Sequence, residues 1–249
     1  MRPLIVATAF LTRIPLPIAA NAADVGRAAR WFPRVGAGLG ITAALAARGM
    51  GGISGLPPVL GALLLVGAGA WVTGAIHLDG LADTADGFGG GRTPEDALRI
   101  MRDPAIGSFG AIALLLVMGT KVEMLATLLE RHAAAPVLVV APTVSRWTIV
   151  ALGAWLPYAR PEGGLGEAVT RGRDTSGLVW ATAVTAAVTT IAMRVDGLFL
   201  WTCAVIVMVA LGHTARRRIH GVTGDVLGAS VELTEAAVLV AAVFLAAPR

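Results

Sequence analysis

The sequence predicts an all-α protein, a polytopic bundle of about seven membrane-spanning helices, and three observations lead to this prediction. Of its 249 residues, 56% are hydrophobic and only 14% are charged, and the mean hydropathy is +0.75. Soluble domains carry roughly 25% charged residues, so this chain has too few charges to cover a water-exposed surface. Charge-free stretches recur along the chain, and basic residues concentrate between alternate stretches. These features exclude a soluble enzyme and also a disordered chain, which would be poor in apolar residues.

The predicted spans are stretches near the roughly 20 residues that cross the hydrocarbon core of a bilayer, and residues 35–47 form a shorter one. The longest charge-free stretch covers residues 49–76. The other predicted spans are residues 35–47, 104–120, 133–159, 175–193, 197–215 and 229–247. Six or eight spans would also fit, but no room is left for a separate soluble domain. Residues 1–249 are therefore expected to form a single integral-membrane domain.

The orientation follows from the basic residues. Fourteen of the twenty lie in the N-terminal segment and in the expected loops at about 79–103, 160–174 and 214–228, whereas four lie on the opposite side. Because basic loops are retained in the cytoplasm, we expect a cytoplasmic N-terminus and an external C-terminus. The same rule accounts for the net charge of +4, so nucleic-acid binding is not expected.

Six of the sixteen acidic residues lie between positions 79 and 103. Asp79, Asp83 and Asp86 are spaced i, i+4 and i+7, so they share one face if the preceding span continues through them as a helix. Like charges repel at this spacing, and a hard divalent cation with oxygen ligands would remove the repulsion. The spacing therefore predicts a magnesium site, against the alternative of a solvated acidic helix end. His77, just before them, is either a chemical participant or an ordinary interfacial histidine.

Two further segments carry polar signals. Thr93-Pro94 predicts the start of a helix, with Thr93 as N-cap and Asp96 completing an approximate capping box. The segment around 214–228 combines three arginines with a Gly-Val-Thr-Gly-Asp turn, Gly221 to Asp225. The arginines alone would be a basic membrane stop, but the glycines would let backbone N–H groups approach an anion. Asp225 is a candidate fourth metal ligand.

Lys121 and Arg146 fall inside predicted spans, where ionisable groups are costly and usually line an interior cavity. An ion pair between Glu123 and Arg146 would be a purely structural explanation. Lys121 has no evident acidic partner nearby in the sequence, so a phosphate is the other candidate partner.

Acids, interior cations and glycine-rich turns on one side of the membrane favour transfer of a phosphorus-linked group. Magnesium would bridge diphosphate oxygens and neutralise charge that develops during the reaction. Lys121, Arg146 and Arg102 would contact the remaining oxygens. The competing interpretation is an ion-coupled membrane transporter, whose charges would sit near the midplane. Most of the acids here lie in one expected cytoplasmic segment, which favours the enzyme.

Unusual motifs occur in order over nearly the whole chain. They are Phe10-Leu-Thr-Arg13-Ile-Pro-Leu-Pro17, Arg30-Trp-Phe-Pro-Arg-Val-Gly36, Gly74-Ala-Ile-His77-Leu-Asp-Gly-Leu-Ala-Asp83-Thr-Ala-Asp-Gly87, Ile100-Met-Arg102-Asp103, Lys121, Ser145-Arg146, Gly164-Leu-Gly166 and Gly224-Asp-Val-Leu-Gly-Ala229 with Glu232-Leu233. With these motifs the chain resembles the adenosylcobinamide-GDP ribazoletransferase (cobalamin synthase) family. The stretch from His77 to Thr84 is the most specific part of the resemblance.

The resemblance implies a magnesium-dependent, multi-pass transferase of the bacterial cytoplasmic (inner) membrane, with its active site facing the cytoplasm. A ribose hydroxyl of α-ribazole, or of its 5′-phosphate, would attack the cobinamide-side phosphorus of adenosylcobinamide-GDP and release GMP. The expected catalytic residues are His77, Asp79, Asp83 and Asp86. The expected metal ligands are Asp79, Asp83, Asp86 and Asp225. The expected substrate-binding residues are Arg13, Arg102, Lys121, Arg146, Gly224 and Asp225. The general base, the number of metal ions and homo-oligomerisation stay open.

Overall fold

The computed structural model describes residues 2–52, 55–164, 166–170 and 175–246, and within these ranges all the named elements are helices. The helices are α1 (Arg2–Leu11), α2 (Ala22–Ala28), α3 (Phe32–Met50), α4 (Pro58–Val72), α5 (Ile76–Gly90), α6 (Pro94–Ile100), α7 (Ser108–Glu130), α8 (Ala134–Trp155), α9 (Glu167–Thr170), α10 (Thr175–Ile219) and α11 (Gly224–Leu245). The all-α prediction is confirmed. Leu165 of the Gly-Leu-Gly motif and Arg171, Arg173 and Arg249 of the orientation argument lie outside the described residues.

Four helices are long and apolar enough to cross a membrane, namely α7, α8, α10 and α11. Helices α4 and α5 together pass the same test as one bent span, which gives five. Large apolar side chains are open to the surroundings along these helices; Leu115 is 75% exposed and Ile191 is 85% exposed. So much exposed apolar surface is stable only against lipid, and the chain is a membrane protein. The count of seven spans is not confirmed by this test.

Helix α11 lies at the centre of the bundle, packed against α5, α7, α8 and α10. Val226, Ala229, Val231 and Val238 of α11 are completely buried. A helix that is apolar on every side is expected where other helices surround it. This position makes α11 the element against which the polar residues of its neighbours are arranged.

Glycines set the closest helix contact, between α3 and α8. A Cβ on Gly40 would lie 2.7 Å from the Cα atom of Val139, and one on Gly36 would meet the backbone at Pro142. Gly36 and Gly40 form a Gly-x-x-x-Gly pattern, which lets helix backbones approach closely in membranes. Pro142 lies inside α8 and cannot donate a backbone hydrogen bond, so the helix is weakened just before Ser145 and Arg146.

The predicted helix continuation into the acidic segment is wrong in one respect. Helix α4 ends at Val72, and α5 leaves it at an angle of 89°. Gly74 and Ala75 at the bend have φ values of 64° and 58°, a left-handed conformation that interrupts a right-handed helix. The acids therefore stand on a new helix, α5, and not on an extension of the membrane span.

Helix α10 reverses direction at Arg194, whose φ of 52° and ψ of −127° are not helical. Trp147 shows the reversal, because its indole N–H donates to Thr182 at 2.9 Å while its ring lies 5.2 Å from that of Trp201. Thr182 and Trp201 would be about 28 Å apart along a straight helix at roughly 1.5 Å per residue. The 45 residues therefore form two antiparallel arms.

Two of the three segments expected to be cytoplasmic loops, those at about 79–103 and 214–228, are largely helical, and the helix that follows Thr93 was predicted. Residues 79–90 belong to α5, residues 94–100 form α6, and residues 214–219 complete α10. The predicted N-cap is confirmed, since the Thr93 hydroxyl accepts the N–H of Asp96 at 3.1 Å. Asp96 in turn accepts from the N–H of Arg92 and pairs with Arg99, and the Arg99 contact is the main reason that the pKa of Asp96 is lowered.

Candidate active site

The candidate active site begins where α5 crosses the first turn of α11. A Cβ on Gly80 would lie 2.7 Å from the carbonyl oxygen of Asp225, and one on Gly228 would lie 3.3 Å from the Cα atom of His77. Glycine at both positions lets the two backbones touch. The crossing places Asp79 and Asp83 of α5 beside Asp225, although about 140 residues separate them along the chain.

The carboxylates of Asp79, Asp83 and Asp225 are electrostatic neighbours at this crossing. The Asp225 carboxylate accepts a hydrogen bond from Arg160 at 2.6 Å and one from the Thr223 hydroxyl at 3.1 Å. Arg160 also faces Asp83. The structure thus brings three of the four predicted metal ligands, Asp79, Asp83 and Asp225, into one cluster, called the carboxylate group below, and adds an arginine to it.

Tyr158 lies beside this group, outside the helices, close to Arg160 and Gly224. Burial raises the pKa of its hydroxyl above the usual value. The Tyr158 segment is held to the start of α11 by backbone contacts: Val222 donates to Pro157 at 2.9 Å, and Ala159 donates to Val222 at 2.9 Å. The segment after α8 therefore forms part of the wall around Asp225 and Gly224.

Asp86 has a different environment from the other acids of α5. Its Oδ2 accepts the backbone N–H of Gly107 at 2.8 Å, and its Oδ1 accepts that of Gly110 at 2.8 Å. These groups lie at the N-terminus of α7, where N–H groups lack helical partners and a negative charge is favourable. A Cβ on Gly107 or Gly110 would collide with the carboxylate. Asp86 therefore caps α7 and fixes it against α5.

A second polar group lies deeper in the bundle and is called the interior ion-pair network. Lys121 of α7 binds Glu232 at 2.8 Å and Glu235 at 2.6 Å. Arg146 of α8 pairs with the other oxygen of Glu235 and donates to the Ser145 hydroxyl at 3.0 Å. The suggested Glu123–Arg146 pair is wrong, since Glu235 takes that place and Glu123 is exposed on α7. The predicted contact of Lys121 and Arg146 with phosphate is not tested by this arrangement, in which both cations already have carboxylate partners.

The network contains two cations and two anions, so its formal charge is balanced. Glu235 lies eleven residues into α11, which is about 16 Å from its start at roughly 1.5 Å per residue. At that depth water is scarce, and an unpaired charge would be strongly unfavourable. Glu235 was not among the predicted site residues. The signal that could have identified it was the pair of acids at positions 232 and 235 of an apolar span, because the intramembrane cations Lys121 and Arg146 needed anionic partners.

His77 lies between the carboxylate group and the network. It is 4% exposed, and Lys121, Arg146 and Glu235 are its electrostatic neighbours. Among the described residues its Nε2 atom has no hydrogen-bond partner. A buried imidazole nitrogen without a partner is costly in a purely structural role, which favours a ligand or reacting group at this position.

The remaining predicted residues lie near the site at different distances. The Arg13 guanidinium stacks on Trp71, 5.3 Å from the ring centroid, next to the bend before α5. Arg102 forms an ion pair with Glu162, and both side chains are about half exposed. Gly224 begins α11 against Gly166. Arg13 and Arg102 therefore lie at the rim of the candidate site, whereas Gly224 directly precedes Asp225 in the first turn of α11.

Within the described ranges, no group of three His, Cys, Asp or Glu side chains is arranged to hold a metal ion alone. Magnesium usually takes one or two protein carboxylates and fills its other positions with waters and substrate phosphates. Asp79, Asp83 and Asp225 supply oxygen donors from two helices that touch at Gly80. The site therefore fits an ion shared with a phosphorylated substrate and does not fit a closed protein cage.

Comparison with known proteins decides the family. A sequence model of the family described as cobalamin-5-phosphate synthase matches residues 3–243. The chain belongs to this family. Three similar curated proteins are named adenosylcobinamide-GDP ribazoletransferase: one from Thiobacillus denitrificans is 41% identical over 100% of this chain and 98% of its own length, one from Chlorobium phaeobacteroides is 40% identical over 99% of each, and one from Pseudomonas aeruginosa is 39% identical over 97% of each.

No solved structure matches the chain. The family membership confirms the resemblance noted from the motifs, and the chain is an enzyme of the transferase class in cobalamin biosynthesis. The transporter interpretation is not favoured, because the similar curated proteins carry a transferase name.

Proposed function

We propose that the chain transfers the cobinamide phosphate of adenosylcobinamide-GDP to α-ribazole or its 5′-phosphate, releasing GMP. A ribose hydroxyl oxygen forms a new bond to the cobinamide-side phosphorus, and the bond between that phosphorus and the bridging oxygen breaks. GMP leaves with the bridging oxygen, and the hydroxyl proton passes to a base. The names of the relatives support the reaction, and the crossing of α5 and α11 supports its location.

The observation that carries this proposal is the contact of Gly80 with Asp225, which places Asp79, Asp83 and Asp225 on facing helices. These three acids would hold magnesium against the diphosphate. The ion would supply charge neutralisation on the diphosphate oxygens. Asp86, in this proposal, keeps α7 in place, because both of its oxygens already accept backbone N–H groups.

Arg160 is the arginine best placed for the substrate phosphates. One of its nitrogens donates to Asp225, while its buried Nε atom has no partner among the described residues. A guanidinium offers several donors in one plane, so it can hold a carboxylate and a phosphate together. Arg102 and Arg13, at the rim, would meet the outer parts of the same large substrate. Lys121 and Arg146 lie too deep in the bundle, paired with carboxylates, to be the first phosphate contacts.

His77 would orient or deprotonate the attacking hydroxyl, since its Nε2 atom is buried and unpartnered in the described part of the chain. A His77→Gln variant distinguishes the two roles. If His77 is the base, the acidic limb of the pH–rate profile disappears in the variant. If His77 only orients the hydroxyl, the profile keeps its shape and the rate falls uniformly.

For the membrane arrangement we propose seven crossings: α3, α4, α7, α8, both arms of α10 and α11. The reversal at Arg194 gives each arm of α10 about 20 residues or more, which is sufficient to cross. The distribution of basic residues supports a cytoplasmic N-terminus and a cytoplasmic carboxylate group in the inner membrane of a bacterial cell. Alkaline phosphatase fused after His132 should be active, and a fusion after His220 should be inactive; the reverse pattern would refute this orientation.

The decisive experiment uses purified, detergent-solubilised protein with adenosylcobinamide-GDP, α-ribazole and magnesium, and measures GMP release. Asp83→Asn should reduce kcat by at least about a hundredfold, because one charged ligand of the ion is lost. Asp196→Asn, an exposed acid of α10, is the matched control and should retain activity. Asp83→Asn activity within twofold of the control would refute the proposed metal site. Uptake of cobinamide by proteoliposomes without GMP release would instead support a transporter.

A further inference from the structure

A cavity of about 210 Å³ lies between the interior ion-pair network and the lipid-facing side of α3 and α4. Its walls are apolar and include Leu39, Leu65, Val66, Leu125, Leu138 and Leu239. Its floor is polar, formed by Lys121, Arg146, Glu232 and Glu235. The exposed members of its lining, such as Thr42 and Ala46 of α3 and Ala68 of α4, mark its mouth between these two helices.

Arg146 lines the cavity, and its Nε atom is buried without a hydrogen-bond partner among the described residues. Nε2 of His77, an electrostatic neighbour of Arg146 that is not part of the cavity lining, is likewise buried and unpartnered in the described part of the chain. Buried donors are normally satisfied by protein, water or a ligand. The network itself is balanced in charge, so an anion bound there would leave a net negative charge in the membrane interior. An uncharged ligand with a hydrogen-bond acceptor fits both conditions.

The size of the cavity limits the ligand further. Drug-sized molecules occupy pockets of roughly 300 Å³ or more, so this cavity is too small for a corrin ring or for a nucleoside diphosphate. It suits a flat, apolar bicyclic ring with a polar atom at one end. Leu78 of α5 belongs to the cavity wall and precedes Asp79 in the chain. The cavity therefore reaches the first turn of α5, the helix that carries Asp79 and Asp83.

We infer that this cavity binds the benzimidazole base of the nucleophile, with its free ring nitrogen accepting the N–H of Arg146 and its ribose directed toward Asp79. The inference rests on the proposed function, because that function supplies a nucleoside with such a base. It adds a role for the interior ion-pair network, which positions Arg146. The base thereby fixes the ribose hydroxyl relative to the diphosphate, and such orientation contributes strongly to rate.

Filling the cavity tests the inference without touching the charged residues. Ala43 of α3 lines the cavity, and Ala43→Leu adds three carbons there. The KM for α-ribazole should rise by about tenfold or more, since single methylene changes in fitted pockets have effects of roughly 10–200-fold. The KM for adenosylcobinamide-GDP should stay within twofold. Ala210→Leu, at an exposed position of α10, is the matched control and should change neither constant.

A second measurement probes the ring nitrogen and does not depend on turnover. Equilibrium dialysis of the purified protein should show α-ribazole binding that Ala43→Leu weakens by about tenfold. The α-riboside of 5,6-dimethylindole, which lacks the acceptor nitrogen, should bind at least about tenfold more weakly, because a buried donor is left unpaired.

The outcomes separate the two proposals. If Ala43→Leu binds α-ribazole as well as the control does, or if it raises the KM for adenosylcobinamide-GDP alone, the cavity does not hold the base and the inference is overturned. If α-ribazole binds in the cavity while no GMP is released by any variant, the inference stands and the proposed reaction fails. Thermal unfolding of both variants within a few degrees of wild type confirms that the comparison concerns folded protein.

Discussion

Gly80→Ala is the substitution that most directly tests whether the α5–α11 crossing builds the active site. The added Cβ would stand 2.7 Å from the carbonyl oxygen of Asp225 and 3.0 Å from its Cα atom, whereas ordinary contact begins at 3.4 Å. Both obstacles are backbone atoms of a central helix and cannot rotate away. The helices must therefore separate by about 0.7 Å, which moves Asp79 and Asp83 relative to Asp225.

The expected effect is a loss of rate in a protein that stays folded. A misplacement of about 1 Å of positioned groups can cost about a hundredfold in rate, so a displacement of about 0.7 Å should lower kcat by about ten- to a hundredfold. That range corresponds to about 1.4–2.7 kcal/mol in the activation free energy. Overpacking of a helix contact costs about 1–3 kcal/mol of stability, which a bundle of this size should tolerate.

The assay is GMP release over a range of magnesium concentrations, with thermal unfolding in detergent measured on the same preparations. Gly80→Ala should need more magnesium for half-maximal rate, because its ligands are pulled apart. Gly119→Ala in α7 is the matched control: nothing lies within 4 Å of its added Cβ, so rate and stability should be unchanged. If Gly80→Ala keeps wild-type kcat and magnesium dependence, the crossing does not position the metal ligands and the site must be sought elsewhere.

Three other predictions follow from single contacts. Lys121→Met should lower the free energy of unfolding in detergent by about 3–5 kcal/mol, because it leaves buried carboxylates without a cationic partner. The double variant Lys121→Met/Glu232→Gln should recover part of that loss, and equal stability of the single and double variants would contradict the pairing. Asp86→Asn should lower the free energy of unfolding by about 1–3 kcal/mol, because one amide oxygen cannot accept both N–H groups at the start of α7. It should leave the magnesium dependence of GMP release unchanged, and a shifted magnesium dependence would make Asp86 a metal ligand. The pKa of Asp96 is lowered by its hydrogen bonds to Arg99 and Arg92, so its carboxylate stabilises the fold above the ordinary pKa of 3.8. This contribution is lost as the pH falls through the lower pKa of the folded state. Hydrogen exchange should show α6 opening first in that acidic range, and Asp96→Asn should remove this pH dependence.

Much of the secondary structure was readable from local pattern. The Thr93-Pro94 start of α6 was predicted because an N-cap hydroxyl and a proline at N1 act on the adjacent turn. The membrane character followed from hydropathy, which each segment carries by itself. Local signals did not reveal the bend at Gly74 and Ala75, since the apolar stretch before it continues smoothly into α5.

The grouping of the acids was only partly predictable. Equal helical spacing made Asp79, Asp83 and Asp86 look alike, yet Asp86 turns to the start of α7 and Asp79 and Asp83 face Asp225. Arg160 carried no distinguishing sequence pattern, because its role depends on where the segment after α8 meets α11. The partners of Lys121 lie 111 and 114 residues away along the chain.

By itself the sequence determined that this protein enters a membrane, that six of its sixteen acids fall between positions 79 and 103 and that its motifs belong to one family. These properties depend on composition, on short-range spacing and on the order of residues along the chain. Only the tertiary structure decided which carboxylates share a site, which one caps a helix and which close a charge network in the bundle. Charges at helix crossings interact across space over a few ångströms, and that separation is set by glycine contacts between helices distant in sequence.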